Sequence, residues 1–151
     1  MTRAIKTIFI DITAWFSSRA QFQSVILNQW ELVTSSLVVY EFLKIIEQEL
    51  EIATQKANNN RYNLLMNLKG RFPELLSFCN VKILPLDIKV IDLNSVYKLI
   101  KKHQIDVGDA LNYLLLQRKE INYILSDDKD WNRLPNVTVV DDELLRKEKK
   151  K

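Results

Sequence analysis

The sequence predicts an α/β fold, a single domain of three layers in which a parallel sheet of about five strands is flanked by helices. Three observations carry that prediction. The chain has 151 residues, 47% of them hydrophobic and 27% charged, which is the size and balance of one folded domain with a real core. Short apolar runs rich in β-branched residues alternate with longer segments of helical periodicity, the pattern of βα units joined by right-handed crossovers. Several of those runs are apolar almost without interruption, as strands covered on both faces require.

Taken in order, Ile5 to Ile10 (IKTIFI) reads as the first strand. Ser18 to Gln29 has helical spacing through Phe22, Val25 and Ile26, and Glu31 to Thr34 (ELVT) is a weaker strand. Ser36 is the candidate N-cap of a long helix from Leu37 to about Ala57, which Asn58, Asn59 and Asn60 then break. Arg61 to Leu68 and Pro73 to Cys79 read as a helical hairpin with Gly70 as C-cap. Val81 to Leu86 (VKILPL) is a strand, Ile88 to Lys102 a helix, and His103 at its C-terminal end favours the helix dipole. A further helix starts near Asp106 and runs to about Lys119. Ile121 to Leu125 (INYIL) and Val137 to Val140 (VTVV) complete the strands.

Scarce residues exclude much chemistry. One cysteine and one histidine cannot build a zinc site without carboxylates, and no disulfide can form within the chain. Two distant glycines, Gly70 and Gly108, cannot write a phosphate-binding loop, a dinucleotide fingerprint or an EF-hand. Carboxylates are plentiful, ten Asp and nine Glu, so the chemistry to expect is that of oxygen ligands and a hard cation. The net charge of +3 is concentrated at one end: Arg146 to Lys151 carries five positive charges and one negative, and the remainder sums to −1. No apolar run approaches the length of a membrane span and the first is broken at Asp11, so a cytoplasmic address and no membrane partner are expected.

Ligands of an open parallel sheet bind outside the carboxyl ends of its strands, and that rule selects a few acids from nineteen. Asp11 follows Ile10 directly, and a carboxylate held against so apolar a stretch is costly unless it is paired or ligates a cation. It would also serve as an N-cap, but Thr13 caps equally well and would leave Asp11 free. Glu41 interrupts LVVYEFL on a stripe with Leu37, Val38 and Ile45, a face expected to be buried; on a surface it would pair with Lys44 instead. Asp106 and Asp109 open the helix of HQIDVGDALNYLLL. Asp106 is expected mainly as a cap and Asp109 as the functional acid, with Gly108 between them letting a ligand or another backbone approach. Asp127, Asp128 and Asp130 follow INYIL, one of them expected in the site and the others in solvent. Four clusters far apart in sequence thus converge on one sheet edge, where four carboxylates would bind Mg²⁺ or Mn²⁺.

Together these residues resemble the PIN domain, the metal-dependent ribonuclease family that includes the VapC-type toxins of toxin–antitoxin pairs. The resemblance runs from IFIDITAWF through SSLVVYEFL and DVGDALNYLLL to ILSDDKDW and NVTVV. It implies a PIN-like nuclease domain over 1–145 followed by the basic tail 146–151, a Mg²⁺ or Mn²⁺ site, and RNA hydrolysis leaving a 5′-phosphate. Asp11, Glu41, Asp109 and Asp128 match the four acids of the family, as catalytic residues and metal ligands. Ser126 stands where Thr or Ser is usual and Trp131 where Phe is; Thr13, Asp106, Ser126 and Asp130 take supporting roles. The family commonly has Thr or Ser directly after the first acid, where this chain has Ile12, and Thr13 is the candidate substitute. The segment from Glu47 to Asn80 is longer than in compact members, which suits a different partner surface.

The function so implied is that of a metal-dependent endoribonuclease and toxin component, with RNA as substrate and an antitoxin protein and a second copy of the chain as partners. Arg19, Lys129 and Arg133 are candidates to position the RNA backbone. One alternative keeps the fold without the chemistry, as a module that binds RNA or a protein. A third reading, an aspartyl nucleophile at Asp11, wants a second acid two positions on, where the chain has Thr13. Cys79 is expected to be buried and inert.

Overall fold

The computed structural model describes residues 6–16, 30–87, 89 and 91–140. The helix expected over Ser18 to Gln29, Arg19 and the basic tail 146–151 lie outside them. The elements are β1 (Lys6–Ile10), α1 (Ile12–Phe16), β2 (Trp30–Ser35), α2 (Ser36–Gln55), α3 (Asn59–Phe78), β3 (Lys82–Leu84), α4 (Leu93–His103), α5 (Val107–Arg118), β4 (Tyr123–Leu125), a 3₁₀ turn (Lys129–Arg133) and β5 (Thr138–Val139).

All the strand pairs are parallel, in the order β3-β2-β1-β4-β5. The chain steps outward from β1 to β2 and β3, then returns past β1 to β4 and β5. Right-handed crossovers require the connections of those two movements to cover opposite faces. One face therefore receives α2 and α3, which pack on each other, and the other receives α4 and α5, likewise paired. The reversal of strand order falls between β1 and β4, and a crevice opens there at their carboxyl ends. Ile8, Phe9, Ile10, Leu32, Val33, Ile124 and Leu125 are buried along the central strands, the result of near-continuous apolar runs covered on both sides.

The long helices depart from expectation in informative ways. Ser35 caps α2, not Ser36, with its hydroxyl accepting from Val38 N at 3.1 Å. Ser36 Oγ instead accepts from Leu86 N, which cannot join the sheet because Pro85 has ended β3 after three residues. The buried stripe of α2 is Val38, Phe42, Ile46 and Ala53, and Glu41 lies half-buried beside it. The expected hairpin across Gly70 is one unbroken helix, α3, running through both Gly70 and Pro73. Packing overrides these breakers: Phe42 stacks on Phe72 with ring centres 3.9 Å apart, Phe16 stacks on Phe42, and Trp15 meets Phe72 edge-on. That line of rings holds α1, α2 and α3 together.

With two glycines in the chain, helix ends are closed by other residues. Ala57, Asn80 and Glu120 take φ of 51°, 51° and 57° after α2, α3 and α5, and in each case the next amide returns to a carbonyl of the last turn. The strand over Glu31 to Thr34, the weakest in sequence, becomes the six-residue β2 that pairs on both sides. The helix expected from Ile88 begins at Leu93, capped by Asp92.

Ser35 also donates to Asn112 Oδ1 at 2.6 Å, fully buried, so one hydroxyl caps α2 and ties it to α5. Ser35→Ala removes the cap and orphans a buried amide oxygen, which together destabilise by about 2–4 kcal/mol. Ser36→Ala loses one exposed bond and should cost under about 1 kcal/mol. Urea denaturation of both variants checks the difference, and equal losses would contradict the capping assignment.

Candidate active site

Asp11 is the first residue past β1. Its amide donates to Leu125 O at 3.0 Å, directly after the last β1–β4 pair, so the crevice between these strands begins at its side chain. The carboxylate is only 2% exposed. Its Oδ2 accepts from Ser126 Oγ at 2.7 Å and from Trp131 Nε1 at 3.1 Å. Burial pushes the Asp11 carboxyl above its ordinary range; the bonds from Ser126, the Ile12 amide and Trp131 pull the other way without cancelling that rise.

Ser126 has one proton, and it goes to a carboxylate that can only accept. Thr13 Oγ1, 3.1 Å from Ser126 Oγ, is then the donor of that pair, while Thr13 accepts from Asp127 N and Ser126 accepts from Asp128 N. A directed chain therefore runs from Thr13 through Ser126 to Asp11. Thr13 thus reaches Asp11 through Ser126.

Asp106 caps α5, accepting from Asp109 N at 2.7 Å. The capping box is half made: Asp109 Oδ2 is buried with no hydrogen-bond partner among the described residues. Burial first, then the charges of Asp106, Asp11, Asp128 and Asp130, push Asp109 up to about 8. Gly108 turns out to accommodate Glu41. A Cβ on Gly108 would stand 2.7 Å from Glu41 Oε1, so the carboxylate of α2 lies over the bare Cα in the first turn of α5. Glu41 is also raised, by burial, by Asp106 and by Asp11, with Lys44 opposing.

The acids after β4 divide differently from expectation. Asp127 is exposed, whereas both Asp128 and Asp130 are half-buried. One oxygen each from Asp109, Asp128 and Asp130 lie within 4.8 Å of one another, a group that could hold a cation. Asp128 caps the 3₁₀ turn by accepting from Asp130 N at 2.9 Å. Arg133 pairs with Asp130 at 3.3 Å and donates to Gln104 O, linking the turn to the α4–α5 corner; Lys129 is exposed. His103 ends α4 and is half-buried, and Cys79 is buried, its thiol raised by burial.

The eight acids and hydroxyls given site roles in the sequence are thus connected: Thr13 and Ser126 serve Asp11, and the other five acids fall into two groups. Asp109, Asp128 and Asp130 form one, and Glu41, Asp106 and Gly108 the other, with Asp11 acting on Asp109 and Glu41 in both. Sequence reasoning noted Trp131 only as a replacement for Phe and missed its bond to Asp11. The available signal was an indole N–H one residue after Asp130, in a turn facing the first acid.

No protein-family description and no curated protein matches the chain. Among solved structures it is similar to VapBC2 from Rickettsia felis bound to a DNA fragment from their promoter, with a TM-score of 0.61 and 12% identity over 89% of this chain and 97% of that one. It is also similar to PAE2754 from Pyrobaculum aerophilum, with a TM-score of 0.55 and 13% identity over 94% of each chain. These similarities establish the fold, which is PIN-like and spans nearly the whole chain. No helix among the described residues is long and apolar enough to cross a membrane.

The raised carboxyls set a pH dependence of known sign. A folded acid at about 8 against an ordinary 3.8 keeps its proton longer than the unfolded chain does, so its contribution to stability is greatest in acid and is lost as pH rises towards 8. In EDTA the Tm should fall between pH 5 and pH 8, and Asp109→Asn should flatten that fall. Because a cation binds the ionised form, the Tm gain from MgCl₂ should be larger at pH 8 than at pH 5. An equal gain at both pH values would contradict a cation held by these acids.

Proposed function

We propose that this chain is a metal-dependent endoribonuclease that hydrolyses RNA phosphodiester bonds and acts as the toxin component of a toxin–antitoxin pair. One observation carries the reading: oxygens of Asp109 on α5 and of Asp128 and Asp130 after β4 lie within 4.8 Å of one another, the charges of Asp11 and Asp106 act on Asp109, and Asp109 Oδ2 is buried with no hydrogen-bond partner among the described residues. An all-oxygen donor set suits a hard cation, and we assign Mg²⁺ or Mn²⁺. Asp11, Glu41, Asp109 and Asp128 are the proposed ligands and catalytic residues, with Thr13, Asp106, Ser126 and Asp130 supporting them.

A cation bound there supplies a water of lowered pKa and offsets charge growing on the phosphate. The chain's own residues prepare that site. Ser126 fixes Asp11, and Thr13 fixes Ser126. Asp106 sets the first turn of α5, which aims Asp109 inward, and Gly108 makes room for Glu41. Arg133 and Lys129 at the rim are suited to meet the RNA backbone. The likeness to a VapBC2 structure supports an antitoxin protein as partner; a homodimer working in the cytoplasm belongs to the same proposal.

Incubation of labelled RNAs with the protein tests the reading. Cleavage should require Mg²⁺ or Mn²⁺ and stop in EDTA, and Asp11→Asn or Asp109→Asn should reduce it by about 100-fold or more while leaving the protein folded. A wild-type protein that neither cleaves nor gains stability from Mn²⁺ would leave only the non-catalytic binding module. Gly108→Ala separates site from scaffold. Alanine favours the helix by about 1 kcal/mol, and the Glu41 carboxylate, at the end of a flexible side chain, can move aside. Thermal melts should show unchanged or higher stability, while RNA cleavage falls by about tenfold.

A further inference from the structure

Trp131 is the largest side chain with no exposed surface, yet it belongs to a short 3₁₀ turn in an acidic connection. Its ring tilts against Phe9 at 6.5 Å, a contact that a smaller aromatic would also make. What an indole adds is its N–H, and that group donates to Asp11 Oδ2 at 3.1 Å. The other two indoles give the comparison. Trp15 and Trp30 are also buried, and neither N–H has a partner among the described residues. Core packing in this protein therefore does not by itself pair an indole; the pairing occurs at Trp131, on the first acid of the candidate site.

Asp11 is buried, and the residue that follows it, Ile12, offers a backbone amide but no side-chain donor. Its carboxylate depends on groups from the far side of the crevice, the Ser126 hydroxyl and the Trp131 indole, which share Oδ2. A rigid ring locked by packing aims its N–H without the rotamer freedom of a hydroxyl. The same ring anchors the turn that carries Asp128 and Asp130, since Asp128 caps that turn.

We infer that Trp131 is a positioning residue for the cation site: its indole N–H, together with Ser126, clamps the Asp11 carboxylate in its ligating orientation and locks the Asp128–Asp130 turn against it. This rests on the metal-site reading above. Donors that orient a metal ligand commonly contribute 10- to 100-fold in metal affinity, roughly the effect to expect.

Mn²⁺ binding measured by calorimetry on wild type, Trp131→Phe and Trp15→Phe tests it. Both variants lose ring volume, but only the first loses a donor to Asp11. The expected result is Mn²⁺ affinity weakened about tenfold in Trp131→Phe and unchanged in Trp15→Phe. If wild type binds Mn²⁺ and Trp131→Phe binds within about twofold of it, or if Trp15→Phe weakens binding equally, the inference falls and the metal site stands. If wild type binds no Mn²⁺, both fall. A readout free of mutational damage uses ¹⁵N-indole-labelled wild type: the Trp131 N–H resonance should shift on titration with Mg²⁺ more than those of Trp15 and Trp30. Equal shifts, or none, overturn the inference even if Trp131→Phe does not fold.

Discussion

Like charge held in a half-dry crevice is the constraint on which the acidic edge of this protein depends. Two carboxylates 4–5 Å apart repel by roughly 3–4 kcal/mol at an effective dielectric of about 20, and Asp109, Asp128 and Asp130 have oxygens within 4.8 Å of one another. The Arg133–Asp130 pair cannot offset that, because both partners are partly exposed and such pairs contribute at most about 1 kcal/mol. The protein responds by raising Asp109 to about 8, so that it keeps its proton, and by surrounding Asp11 with donors. Each response is a substitute for a positive charge.

The fold makes this concentration possible by keeping the acids on separate, rigid supports. Asp11 ends a central strand, Glu41 sits in the second turn of α2, Asp109 lies in the first turn of α5, and Asp128 starts the 3₁₀ turn. Each support is anchored by a core residue next to the acid: Ile10 beside Asp11, Phe42 beside Glu41, Ala110 beside Asp109 and Trp131 near Asp128, all with no exposed surface. Repulsion among the carboxylates therefore works against packing spread over the whole domain. The Ser35–Asn112 bond adds a direct tie between the helices that carry Glu41 and Asp109.

Much of this was legible in the sequence because it is local. The strand Lys6–Ile10, the cap at Asp106 and the placement of Asp11 after an apolar strand all follow from neighbours a few residues apart. The errors came where distant contacts outweighed local signals. Gly70 and Pro73 read as a break, but stacking of Phe72 on Phe42 carries α3 straight through them. Ser36 and Ser35 are equivalent as local caps, and Asn112, seventy-seven positions on, makes Ser35 the buried one. Asp130 was expected in a supporting role beside Asp128, and the 3₁₀ turn that Asp128 caps brings the two acids close together.

The sequence by itself determined the class of fold, and it pointed to one sheet edge and to oxygen ligands. Those follow from apolar periodicity, from the position of acids relative to strand ends, and from the scarcity of His, Cys and Gly. Only the tertiary structure decided how the acids are held. The directed hydrogen bonds from Thr13 through Ser126 to Asp11, the fit of Glu41 over Gly108 and the Trp131 N–H on Asp11 join residues that periodicity cannot pair. Hydrogen bonds need donors and acceptors about 3 Å apart, and for groups more than a hundred positions apart in sequence only the packed chain sets that distance.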